Sequence, residues 1–157
     1  MQIAFERRLI KTSVYAICDQ IYAVNAWKNW NSRIEKIELL ESPKPGAMGR
    51  IKIKNSGVVH FTLLEVDPRK LLKWSTRWFW VEVIYSYRLI PNFDGTIVVF
   101  EAECQGSFPK LARWFLENDI YRHLEEALNG LKAKLDPQQK RALDSVGEAQ
   151  SHNAGVA

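Results

Sequence analysis

The tightest constraint on this chain lies between Leu71 and Cys104, where three apolar, aromatic-rich runs follow one another across short polar turns. The middle run, Val81-Glu82-Val83-Ile84-Tyr85-Ser86-Tyr87-Arg88-Leu89, places apolar or aromatic side chains at its odd positions; Glu82, Ser86 and Arg88 fall among the even ones. A period of two predicts a strand with one greasy face and one largely wet face. Such a sheet must cover its greasy face, and the long helical pattern available for this lies after Gly106. One helix is a small lid for so much apolar surface. A cavity between them is expected.

The flanking segments fill in the layout. Ile3 to Ile10 reads as a strand, with Ile3, Phe5 and Leu9 on the apolar side, Arg7 an exception there, and Glu6 and Arg8 opposite. Thr12 or Ser13 can cap a helix carrying Val14, Ile17, Cys18 and Ile21, and a second short helix follows over Tyr22 to Trp27. Further strands are predicted over Ile34–Leu40, Met48–Lys54, Val58–Val66, Leu71–Arg77, Val81–Ile90 and Thr96–Cys104. Asn55-Ser56-Gly57 and Asp94-Gly95 read as hairpin turns, with glycine expected to supply the positive φ.

Past Gly106 the period changes. Leu111, Trp114, Phe115, Asn118, Tyr121, Leu124, Leu128, Leu131 and Leu135 recur every three or four residues, which predicts one long helix with a broad apolar stripe. Gly130 weakens it by about 1 kcal/mol relative to alanine, so close packing or a bend is expected there. Asp136-Pro137 ends it, because a residue before proline is pushed out of helical geometry. The fold class is therefore α+β: two short helices after the first strand, a curved seven-stranded antiparallel sheet, and a long C-terminal helix. The domain is expected to span 1–136, and the small, polar segment 137–157 to be a disordered tail.

Composition narrows the function classes. The 157 residues suffice for one core without disulfides or metal. A net charge of +4 is spread over the chain with no basic run, so no nucleic-acid partner is expected. No apolar run approaches the ~20 residues a membrane span needs. Cys18 and Cys104 show no ligand spacing, and the N-terminus lacks a signal-peptide layout, so a reduced, cytoplasmic protein is expected. No metal and no cofactor are implied.

Alternation sends Phe61, Leu63, Trp74, Thr76, Val83, Tyr85, Tyr87, Val98 and Phe100 toward the helix, and the helix stripe returns Trp114, Asn118 and Tyr121. These twelve are the candidate ligand-binding residues. For the aliphatic ones core packing is the favoured role and ligand contact the alternative. Trp74, Tyr85 and Tyr87 each carry a polar atom that wants a partner when buried, which suits orienting a ligand. Asn118 is the polar side chain on the stripe. His60 falls on the outer phase of its strand, His123 beside Leu124 off the stripe, and His152 in the tail, so no histidine is expected to act on a ligand. No catalytic constellation emerges. Trp78, Phe79 and Trp80 are more aromatic bulk than a strand junction needs; they could line the cavity mouth or serve as a protein-contact surface.

Several loose signatures occur in order: Trp27-x-x-Trp30-Asn31, Pro45-Gly46-x-x-Gly49, Phe61-x-x-x-Glu65-Val66-Asp67-Pro68, Trp74, Pro91-x-x-Asp94-Gly95-Thr96 and Leu124-x-x-x-Leu128-x-x-Leu131. Together they resemble the START/Bet v 1-like (SRPBCC) superfamily over about residues 1–135, most closely its polyketide cyclase/dehydrase and lipid-transport group. The resemblance implies a helix-grip fold and a hydrophobic ligand between sheet and helix, with Trp27 and Trp30 near the opening. It transfers no catalytic residue. The expected function is binding of a lipid, quinone or polyketide-like aromatic. A cyclase or dehydratase using the same cavity, with Tyr85 or Tyr87 polarising a carbonyl, is the alternative, and an interaction module built on Trp78–Trp80 the second. A homodimer is compatible with any of them.

Overall fold

In the computed structural model, residues 1–78, 80–106, 110–136 and 141 are described. Seven strands form: β1 (Gln2–Ile10), β2 (Ile34–Leu39), β3 (Met48–Ile53), β4 (Val58–Asp67), β5 (Leu71–Trp78), β6 (Val81–Asn92) and β7 (Gly95–Gln105). Helix α1 (Val14–Tyr22) and a 3-10 turn (Val24–Asn29) follow β1, and α2 (Lys110–Leu135) closes the fold. All seven strands belong to one antiparallel sheet in the order β1-β7-β6-β5-β4-β3-β2. This is the α+β, helix-grip-like architecture expected. The tail expected over 137–157 lies outside the described residues apart from Arg141.

Local chemistry accounts for the element ends. Ser13 caps α1, its side chain accepting from the Ala16 amide at 3.3 Å. The β6–β7 hairpin turns at Phe93-Asp94, and Gly95 takes φ +147° where an added Cβ would fall 2.2 Å from the Ile10 carbonyl oxygen. At the β3–β4 turn the positive φ sits on Asn55 (φ 58°) rather than on Gly57. Asparagine tolerates the left-handed region nearly as well, so glycine's presence nearby does not assign it. Register shifts in β1, β2 and β4 help bend the sheet.

Tyr22 ties α1 to the sheet by donating to the carbonyls of Asp67 and, at 2.9 Å, Leu71. Trp27 Nε1 donates to the Ile21 carbonyl at 2.7 Å, and the Leu39 amide donates to Asn25 Oδ1 at 2.7 Å. The turn between α1 and β2 is thereby pinned across one end of the concave face. On the wet face Arg88 and Glu101 pair at 2.5 Å, as the alternation implies.

The phase of β1 is the reverse of the one its pattern suggested. Ala4 and Ile10 are buried while Phe5 is 44% exposed, so the inner face carries Glu6 and Arg8. Those charges are accommodated because β1 is an edge strand under α2. Arg8 Nε reaches Asn129 Oδ1 at 3.3 Å, and Glu6 pairs with Arg8. Burial raises the Glu6 carboxyl, but hydrogen bonds from Tyr121 and Arg8 outweigh it and hold the pKa below its ordinary value.

Candidate functional site

Inner faces of the middle strands and the first half of α2 border a half-open cavity of about 190 Å³. Its floor comes from Ile34 on β2, Ile51 and Ile53 on β3, Val59 on β4, Trp74 and Thr76 on β5, and Val83, Tyr85 and Tyr87 on β6. Trp27, Asn31 and Arg33 close one side, and Leu116, Asp119, Ile120 and His123 form the lid. Drug-sized pockets run to about 300–1,000 Å³, whereas about 150 Å³ of apolar void accepts benzene. The space is that of a small ring system.

An aromatic cluster stiffens the floor. Tyr85 stacks on Trp74 with centroids 5.3 Å apart, Trp27 meets Trp74 at 4.9 Å, and Tyr87 stacks on Phe100 at 4.0 Å. Burial pushes both the Tyr85 and Tyr87 hydroxyls up, so each stays protonated at neutral pH. Among the described residues no hydrogen bond reaches either hydroxyl.

Across from Tyr85 stands His123, ring centroids 5.9 Å apart and edge-on, with Phe100 at the same 5.9 Å. Burial pushes the His123 pKa down to about 4, the Arg33 guanidinium lowers it further, and Asp119 opposes both. The imidazole is therefore neutral at pH 7. Arg33 crosses the mouth to α2, with Nη2 on Asp119 Oδ1 at 2.6 Å and Nη1 on its carbonyl at 3.0 Å. Arg33, Asp119, Ile53 and Ser56 also border an outer, more polar depression of about 550 Å³, which adds Lys54, Asn55, Arg122 and Glu126. An apolar chamber thus opens past one ion pair into a charged vestibule.

Of the twelve residues singled out by alternation, Trp74, Thr76, Val83, Tyr85 and Tyr87 line the cavity. Phe61, Leu63, Val98 and Phe100 do point inward, but they are fully packed core, at 0–2% exposure, and not part of its wall. The void lies toward β2–β6, while β7 is covered directly by α2. Trp114, 56% exposed, and Asn118 face outward, while Tyr121, 44% exposed, leans over the β1 edge to hydrogen-bond Glu6 and lies outside the cavity wall. The stripe is right from Leu124 onward and wrong from Trp114 to Tyr121; the Leu111 side chain lies outside the described residues. Extended backward, Leu124 continues through either Tyr121 or Ile120, and the larger side chains favoured the wrong branch. Steps of four from Leu116 through Ile120, Leu124 and Leu128 trace the face that is buried, and that spacing was available.

His123 was placed off the apolar stripe; with the helix phase corrected it lines the cavity. His60 is exposed on the outer face, as expected. Ile34, Ile51 and Ile53 follow from alternation on strands the sequence did identify. Arg33 and Asp119 carry no local signal in the sequence, and Asn31 enters only through the Trp27-x-x-Trp30-Asn31 signature. Trp80 is 68% exposed, whereas Phe79 and the Trp78 side chain lie outside the described residues. Among the described residues no helix is long and apolar enough to cross a membrane, and no cluster of His, Cys, Asp and Glu could hold a metal ion.

Comparison with known proteins agrees with this fold. Solved structures share the fold: the Zhui aromatase/cyclase from Streptomyces sp. R1128 superposes with a TM-score of 0.68 at 13% identity, covering 84% of this chain and 92% of that one. The di-domain ARO/CYC StfQ of the steffimycin biosynthetic pathway gives 0.72 at 11% identity, covering 88% of this chain and 50% of that one. The Aha1 dimer from Colwellia psychrerythraea gives 0.65 at 17% identity, over 85% and 96%. No curated protein sequence matches the chain. The family model described as polyketide cyclase / dehydrase and lipid transport matches residues 3–136, and the chain belongs to that family.

Proposed function

We propose that the protein binds a compact hydrophobic molecule, one or two rings in size, in the chamber between the sheet and α2. The observation that carries this reading is the half-open void of about 190 Å³, lined mainly by isoleucine, valine, leucine and aromatic side chains with Arg33 and Asp119 at its mouth. Burying roughly 200 Å² of ligand is worth about 5 kcal/mol at ~25 cal/mol per Å² before ordering costs, which caps the affinity of burial alone at about the sub-millimolar level. A quinone ring or a small polyketide-like aromatic suits the length of the chamber; a long acyl chain would have to run out through the vestibule.

The test uses the tryptophans in the wall. Naphthalene should quench Trp27 and Trp74 fluorescence saturably. Leu116→Phe, which fills the chamber from the lid, should abolish this, and Trp114→Ala on the outer face should not. Unsaturable quenching, or equal quenching in Leu116→Phe, would refute the reading.

A second reading, catalysis of cyclisation or dehydration in the same chamber, is favoured by one observation. Tyr85, Tyr87 and His123 border it with no protein hydrogen-bond partner among the described residues, leaving their polar atoms available to a substrate. The Zhui aromatase/cyclase and the di-domain ARO/CYC StfQ share the fold. Turnover lost in Tyr85→Phe or Tyr87→Phe with binding retained would establish this reading; turnover retained in both variants would remove the tyrosines from it.

A further inference from the structure

Buried polar side chains almost always find a hydrogen-bond partner within the protein, because leaving one unpaired costs about 1–3 kcal/mol. The described residues keep this habit except at Trp30 Nε1; the chamber's own unpaired polar groups belong to half-buried side chains that its open space still reaches. His123 on the lid and Tyr85 on the floor stand edge to face with ring centroids 5.9 Å apart, and neither is hydrogen-bonded among the described residues. The lid's other polar group, Asp119, is already engaged by Arg33 through its side chain and its carbonyl. Around the pair the walls are apolar or aromatic: Trp74 stacks behind Tyr85, and Phe100 lies 5.9 Å from the imidazole.

From this geometry we infer that His123 is a specificity-determining residue that accepts a hydrogen bond from a hydroxyl on the ligand ring, so that the chamber selects phenol-type aromatics over equally shaped hydrocarbons. The inference rests on the binding proposed above and adds the chemistry of the ligand. A neutral imidazole offers one bare ring nitrogen as acceptor. Burial and the neighbouring Arg33 charge both keep His123 in that neutral form near pH 7, with Asp119 the opposing group and Tyr85 an uncharged neighbour. A hydroxyl on the ring meets that nitrogen while Tyr85 remains free to donate to the same oxygen. An acyl chain or plain hydrocarbon offers nothing to either group and leaves both unpaired.

The experiment compares two probes of nearly identical shape, p-cresol and p-xylene, by NMR titration of the full-length protein. An apolar chamber favours p-xylene strongly, since burying an unpaired hydroxyl is costly. A hydrogen bond to His123 reverses that order, and wild-type protein should bind p-cresol at least as tightly as p-xylene. In His123→Leu the p-cresol affinity should fall about tenfold relative to p-xylene, the change expected from one lost hydrogen bond. His123→Gln, which keeps an acceptor, should recover part of it. A purely structural histidine would shift both probes together and leave their ratio unchanged. That outcome, or a clear p-xylene preference already in the wild type, overturns the inference. Failure of both probes to bind the wild type would instead overturn the binding proposal beneath it.

Discussion

The two halves of α2 meet the sheet in opposite ways. From Leu124 onward the helix is seated without gaps: Leu124, Ala127, Leu128 and Leu131 are all fully buried. Gly130 lies so close to the turn after α1 that an added Cβ would fall 1.7 Å from the Trp30 carbonyl oxygen. In the first half, Leu116, Ile120 and His123 stand over a void, and the helix is held at its mouth by the Arg33–Asp119 pair. One half is an anchor that admits no substitution of volume. The other, a roof, touches its floor through His123 against Tyr85 and Phe100 and leaves open space beside that contact. A single rigid element can therefore both complete a core and leave room for a ligand, provided its close packing is confined to one end.

The strongest way to break this comparison is to disturb the anchor. Gly130→Val should destabilise the protein by about 3 kcal/mol or more, because backbone rather than a flexible side chain blocks the added atoms. Urea unfolding would measure it, and a loss under about 1 kcal/mol would show that the helix is free to move. The same truncation in each half sharpens the contrast. Leu128→Ala should cost about 3 kcal/mol and Leu116→Ala about 1 kcal/mol, since the latter only enlarges space that already exists. Equal costs would mean that the roof is packed like the anchor.

Next in size is the response to acid. The folded pKa of His123 lies near 4, below the ordinary value of 6.5, so the unfolded chain binds more protons between those pH values. Stability contributed by this group is therefore present above pH 6.5 and is lost as pH falls toward 4. Wild type should lose about 2 kcal/mol more than His123→Leu over that interval, read as the difference between their urea midpoints at each pH. Parallel pH profiles would place the imidazole in water and not under the roof. Smallest of all should be Trp114→Ser on the outer side of the same half, within about 0.5 kcal/mol of wild type in the same assay. A large loss there would return Trp114 to the interior.

Sheet positions were more legible than helix positions, for a physical reason. Alternation on β5 and β6 assigns a face by parity, and parity has only two answers; Trp74, Thr76, Val83, Tyr85 and Tyr87 fell where it put them. Even so, β1 shows parity failing at an edge, where Glu6 and Arg8 find partners on the covered side. Helical phase is a continuous angle, and bulky aromatics at Trp114, Phe115 and Tyr121 pulled the reading around to the exposed side. That displaced Asn118 into the candidate site and His123 out of it.

By itself the sequence determined the strands, the capped first helix, the long terminal helix and the family, because periods of two and 3.6 and the chemistry of turns are local properties. Tertiary structure decided where the helix rests, which end opens and which polar groups look inward. Those depend on contacts such as Trp30 with Gly130 and Arg33 with Asp119, the latter 86 residues apart along the chain, and no local pattern encodes the distance at which two such distant elements come to rest.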